Sequence, residues 1–182
     1  MSMNLRKWIL VNTVALASIA TVAFGADAQT FKVGEFSFKT PAGWKYVSGE
    51  TGMRKAQLAF TDDKSGEKAE VVFYHFGAGQ GGTVKANADR WLGQFQEPAE
   101  KLKSKVEPKK IGKGEVTFVT AEGTYLSGIP GGPKTPIPNA KLHGAIVDAA
   151  GGNVFIRMTG PKSVVEKAGA SFIQMVEQPL TP

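Results

Sequence analysis

The 182-residue chain has no cysteine and only two histidines, His75 and His143. Without cysteine there are no disulfides, and no residue is available to carry a lipoprotein acyl chain. A zinc or iron site would need both histidines plus carboxylates, and neither histidine stands in an HxH or HExxH spacing. There is no G-x-S-x-G elbow, no histidine tied by sequence to a serine, and no carboxylate pair recognisable as that of a glycosidase. Internal repeats and coiled-coil heptads are also missing. No metal or cofactor is implied, and stability must come from an ordinary core.

Charge is present but unspecific. Twenty-two basic and sixteen acidic side chains give a net charge of +6. The one local cluster, Lys101, Lys103, Lys105, Lys109 and Lys110, has no arginine or aromatic interleaved to grip phosphates or stack on bases, so no nucleic-acid partner is expected. Two readings stay open for the cluster: a patch for an anionic surface, or a solvated connection.

Residues 1–28 read as a cleaved secretory signal: Arg6 and Lys7, an apolar run from Trp8 to Phe24, then Ala26-Asp27-Ala28. Asn12, Thr13, Ser18 and Thr21 dilute the run relative to a stable membrane anchor, which is the alternative. Arg6-Lys7 is not a twin-arginine pair, so the general secretory route is expected. The expectation is one mature domain, residues 29–182, periplasmic or secreted, with no stable membrane insertion after cleavage.

The mature stretch alternates like a sheet protein. Phe31–Lys39 reads as one strand kinked at Gly34, followed by short strands from Trp44 and Lys55. Asp62 to Gly66 is hairpin-turn chemistry, so Ala69–Phe76 should pair back on the strand before it. Both faces of that run are apolar, which predicts a strand covered on both sides. Val84, Ala88, Trp91 and Phe95 form one helical stripe, with Thr83 as N-cap. Gln96–Lys113 reads as a polar connection with at most a short strand at its end. A strand from Gly114 to Tyr125 follows. Ser127–Asn139, with four prolines and three glycines, reads as irregular. A hairpin around Ala150–Asn153 and a final helix after Pro161 complete an α+β domain, a mostly antiparallel sheet flanked by helices.

Gly77, Gly79 and Gly82 spell G-x-G-x-x-G between a strand and a helix. The preceding strand belongs to an antiparallel hairpin and no parallel βαβ unit follows, which argues against a dinucleotide. A Walker A alignment places Thr83 where the lysine must stand. The loop is either an anion cradle at a helix start or a turn that needs glycine for sterics.

The candidate binding surface joins this loop to Ser127–Asn139. Its candidate residues are Gly79, Gln80, Gly81, Gly82, Asn87, Arg90, Trp91 and Tyr125, with Lys134 nearby and His143 added. On this reading the protein is a non-catalytic binding or assembly module for an unknown small molecule or envelope protein. The alternative is an envelope hydrolase or transferase acting on an anionic substrate. It would use His75 or His143 as base, with Arg90 and the glycine loop as anion holders.

The series Pro41-Ala42-Gly43-Trp44, Gly79-Gln80-Gly81-Gly82, Asn87, Arg90-Trp91, Gln94-Phe95, Gly123-Thr124-Tyr125, Pro130-Gly131-Gly132-Pro133 and Thr159-Gly160-Pro161 resembles a family of exported bacterial proteins with no assigned activity. More loosely, the order of elements resembles the PsbP-like fold, which implies an antiparallel sheet between helical layers and a non-catalytic binding or assembly role. That looser resemblance brings no ligand residues with it.

Overall fold

Gly34 reverses the chain rather than kinking it. In the computed structural model, which describes residues 29–129 and 131–181, Gly34 has φ +60° and begins a two-residue turn between β1 (Thr30–Val33) and β2 (Phe36–Lys39). The expected single strand is therefore a separate antiparallel hairpin, with Phe31 opposite Phe38. Both rings pack on Phe73 at centroid distances of 5.1 Å, which fixes this hairpin over the core. The secretory-signal reading concerns residues outside those described. Among the described residues, no helix is long and apolar enough to cross a membrane.

The main sheet has seven strands, every neighbouring pair antiparallel. They are β3 (Trp44–Ser48), β4 (Arg54–Thr61), β5 (Lys68–His75), β6 (Lys103–Ile111), β7 (Gly114–Ser127), β8 (Thr135–Val147) and β9 (Val154–Pro161), in spatial order β3-β4-β5-β9-β8-β7-β6. The turn after Asp62 pairs β4 with β5 as its chemistry predicts, and β5 lies between β4 and β9. On one face Leu58, Val71, Phe73, Ile156 and Met158 are covered by α2 (Lys162–Glu177) through Val164, Val165, Ala168, Phe172 and Val176. On the other, Val119, Ala121, Leu142, Ile146 and Phe155 are covered by α1 (Val84–Leu92) through Ala88 and Trp91, and by Phe95 beyond it. The architecture is the expected α+β sandwich, helix on sheet on helix.

The two helical layers are unequal. Nine residues make α1 about 13 Å long. It sits over β7, β8 and β9 and leaves the β4–β5 part of its face uncovered, where Gln57 and Ala59 stay partly exposed. That bare area is where the candidate site lies.

Two expectations for the connections are corrected. Residues 103–111 form a nine-residue strand, β6, paired along its whole length with β7. All its residues but Ile111 are exposed, so no apolar alternation announces it; the ladder with β7 imposes the conformation, and Pro108 is tolerated because this is the sheet edge. Likewise Ser127–Asn139 is not all irregular, since β7 runs to Ser127 and β8 begins at Thr135. Residues 135–139 extend past Ala140, where pairing with β9 stops, so Pro136 and Pro138 fall where β8 has a strand on one side only. A bulge here places Asn139 at φ 53°.

Candidate functional site

The register separates the two loops that sequence reasoning joined. His75 pairs with Val154, and Val154 with Val147, so the glycine loop leaves the end of the sheet where β8 finishes. The tip between Ser127 and Thr135 lies at the opposite end, beyond Lys141 and Gly160. They cannot form one surface.

Within the glycine loop, Gly77, Gly79, Gly81 and Gly82 all have positive φ. Gly81 lies so near Phe76 and Phe155 that a Cβ would stand 2.8 Å from each ring, so glycine is needed here for packing as well as conformation. Thr83 caps α1 as expected, its Oγ1 accepting from Ala86 N at 3.1 Å. Gln80 is exposed, and its N–H donates to Gly77 O at 3.2 Å. Asn87 is 3% exposed. Its Nδ2 donates to Gly81 O (2.8 Å) and Thr83 O (2.9 Å), while its Oδ1 accepts from Arg90 Nη1 (3.0 Å). Gly81, Gly82, Asn87 and Arg90 are thus brought together, with Asn87 spent on clasping the loop to the helix.

Trp91 and the histidines lie elsewhere. Trp91 is buried against Gly144 of β8. His143 is buried on the α2 face between Phe118 (5.9 Å) and Phe172 (4.8 Å), and burial, with Lys141 nearby, pushes its pKa down to about 4. His75 is also on that face, donating from Nε2 to Gly151 O at 3.2 Å beside Gly34. The sheet stands between both rings and Arg90. The constellation required for a histidine base working with Arg90 and the glycine loop is not formed. Among the described residues, no three His, Asp or Glu side chains gather as a metal site.

The bare half of the α1 face holds a cleft of about 760 Å³. Gln57, Val72 and Arg157 form one row across β4, β5 and β9; Ala59, Glu70 and Thr159 form the next. Two polar groups converge on it. Glu70 Oε1 accepts from Arg54 Nη1 (2.9 Å) and Gln57 Nε2 (2.7 Å). Across the cleft Gln94 Oε1 accepts from Tyr125 Oη (2.8 Å) and Arg157 Nη1 (2.9 Å). Burial raises the Tyr125 pKa, which keeps the phenol neutral and donating. The Nε of Arg157 is buried with no hydrogen-bond partner. Exposed Ile129 and Ile137, from the tip of the β7–β8 hairpin, form the apolar wall.

Of the individual residues expected from sequence Tyr125 lines this cleft, joined by Ser127, Gly128, Ile129 and Ile137 of the expected Ser127–Asn139 loop. Arg54, Gln57, Glu70, Gln94 and Arg157 were missed as site residues. A signal was available for Arg157: it is the single charge inside the strand-like run Val154–Thr159.

A wider hollow of about 910 Å³ lies at the other end of the molecule, bordered by Glu35, Lys110, Lys113 and Asp148. Charges of both signs are scattered around it, with no convergent pair. The lysine cluster is partly neutralised on β6: Lys105 bonds Glu107 and Lys109 bonds Glu177, both at 2.6 Å, and Lys103 lies 4.0 Å from Glu122.

No protein-family model matches the chain, and no curated protein matches it. Among solved structures it is similar to cyanobacterial PsbP (CyanoP) from Synechocystis, determined in solution. The identity is 11%, the match covers 85% of this chain and 92% of that one, and the TM-score is 0.49. No matching family model covers the motif series from Pro41 to Pro161.

Proposed function

We propose that this chain is an exported, non-catalytic binding module, and that its ligand occupies the cleft on the bare half of the sheet. The observation that carries the reading is the convergence of Arg54–Gln57–Glu70 and Tyr125–Gln94–Arg157 on one concavity. A volume of about 760 Å³ is in the range of small-molecule sites. The groups around it hold and orient by hydrogen bonds; none is a nucleophile paired with a base. Export rests on the leader pattern of residues 1–28 and implies a periplasmic or secreted small molecule, or a segment of an envelope protein, as partner.

Native mass spectrometry of protein purified from its own source tests this. A bound mass should be present, and Ala59→Trp, which fills the cleft floor, should remove it while the thermal transition is kept. A bound mass indifferent to Ala59→Trp would place the ligand elsewhere and overturn the reading.

A further inference from the structure

The chemistry of the cleft narrows its ligand, granted that the cleft is the site. Its lining carries three cations, Arg54, Lys68 and Arg157, against one carboxylate, Glu70, whose Oε1 is already shared by Arg54 and Gln57. Arg157 spends Nη1 on Gln94, and its Nε has no acceptor although water is excluded from it. That Nε is closed to a ligand as it is to water, but the partly exposed guanidinium borders the cleft, where an anionic group gains a charge-assisted hydrogen bond from it. Tyr125 adds no negative charge, since its hydroxyl is a neutral donor to Gln94.

The wall beside Tyr125 is apolar. Ile137 pairs across the hairpin with Tyr125 and is 40% exposed, and Ile129 is 72% exposed. Large aliphatic side chains left open beside a lining with more cations than carboxylates match a molecule with one charged end and one oily end.

We infer that the cleft takes a small amphiphilic anion, a carboxylate or phosphate-ester head held by Arg157 with its apolar body against Ile129 and Ile137. Guanidinium recognises both heads through paired N–H donors.

Four probes of equal chain length decide the point: octanoate, octyl phosphate, octan-1-ol and octylammonium, titrated into the purified protein and followed by the isoleucine methyl and arginine side-chain NMR signals. Octanoate or octyl phosphate should shift both Ile137 and Arg157, and the pair shows which head is preferred. Arg157→Gln should weaken that binding about tenfold or more, and Arg157→Lys by less, with folding checked by thermal melts. If octanol and octylammonium bind as tightly as octanoate and Arg157→Gln changes nothing, the anion inference falls while the cleft stands as the site. If no probe shifts Ile137 and Arg157, the inference also falls, and the native-mass comparison of Ala59→Trp with the unaltered protein then decides the fate of the cleft separately.

Discussion

The indole of Trp91 rests on Gly144: a Cβ added at that glycine would lie 2.3 Å from the ring. This contact seats α1 on β8, and it leaves no room for even a methyl group. Gly144→Ala should therefore destabilise the fold by about 2–3 kcal/mol in urea unfolding, as overpacking of a dense core does. Combining it with Trp91→Leu should cost less than the sum of the two single changes, because the smaller side chain relieves the clash.

Asn87 should behave as part of the structure. Replacing it with Ala removes two donors that hold Gly81 O and Thr83 O and one acceptor for Arg90. A loss of about 1–3 kcal/mol is expected, with faster amide hydrogen exchange concentrated in residues 77–83. Arg90→Ala, at an exposed position, should change stability far less.

Acid should weaken the fold in two steps with different owners. His143 has a folded pKa of about 4, below its usual 6.5, so the unfolded chain binds the extra proton first; its contribution is complete above pH 6.5 and is lost as pH falls toward 4. Glu122 is held down to about 2 by hydrogen bonds from Lys141 and Lys162, so its contribution is complete above about 4.5 and is lost between there and 2. Urea midpoints measured from pH 7 to pH 3 should flatten above pH 4.5 in His143→Phe, and below it in Glu122→Gln.

Glu97 should govern the hairpin tip. Both its carboxylate oxygens accept from Thr124 N at 2.9 Å, and that backbone bond lowers its pKa. On either side of Phe95, Gln96 N bonds Thr124 O and Leu126 N bonds Gln94 O, so residues 94–97 run along the overhanging part of β7. Glu97→Ala should speed amide exchange at Thr124 and Leu126. The core strands β5 and β9 should keep their protection.

How much of this was legible depended on where the determining forces lie. The turn after Asp62, the pairing of β5 with β4, the Thr83 cap and the stripe of α1 follow from local chemistry and periodicity and were readable, whereas β5, expected to be covered on both sides, is left partly bare on its α1 face. β6 was not readable, because its conformation comes from its neighbour's ladder and its exposed side chains carry no pattern. The site was harder. Which end of the sheet a loop occupies depends on strand order, which no local window contains, so two glycine-rich loops at opposite ends looked like neighbours. Arg157, Gln57 and Glu70 meet only once β9 is inserted beside β5, a pairing across some 85 residues of chain.

A sheet that stops at β6 exposes backbone donors and acceptors to any other extended chain. The approaching strand would meet Lys103, Lys105, Lys109 and Lys110 along that rim, and at Pro108 a residue with no N–H to offer. Two copies brought rim to rim would repel each other and leave part of the ladder unmade. The strand whose side chains are almost all exposed is thus the sheet's guard against edge-to-edge polymerisation, and replacing its lysines with β-branched apolar residues would convert a protected rim into an aggregation site.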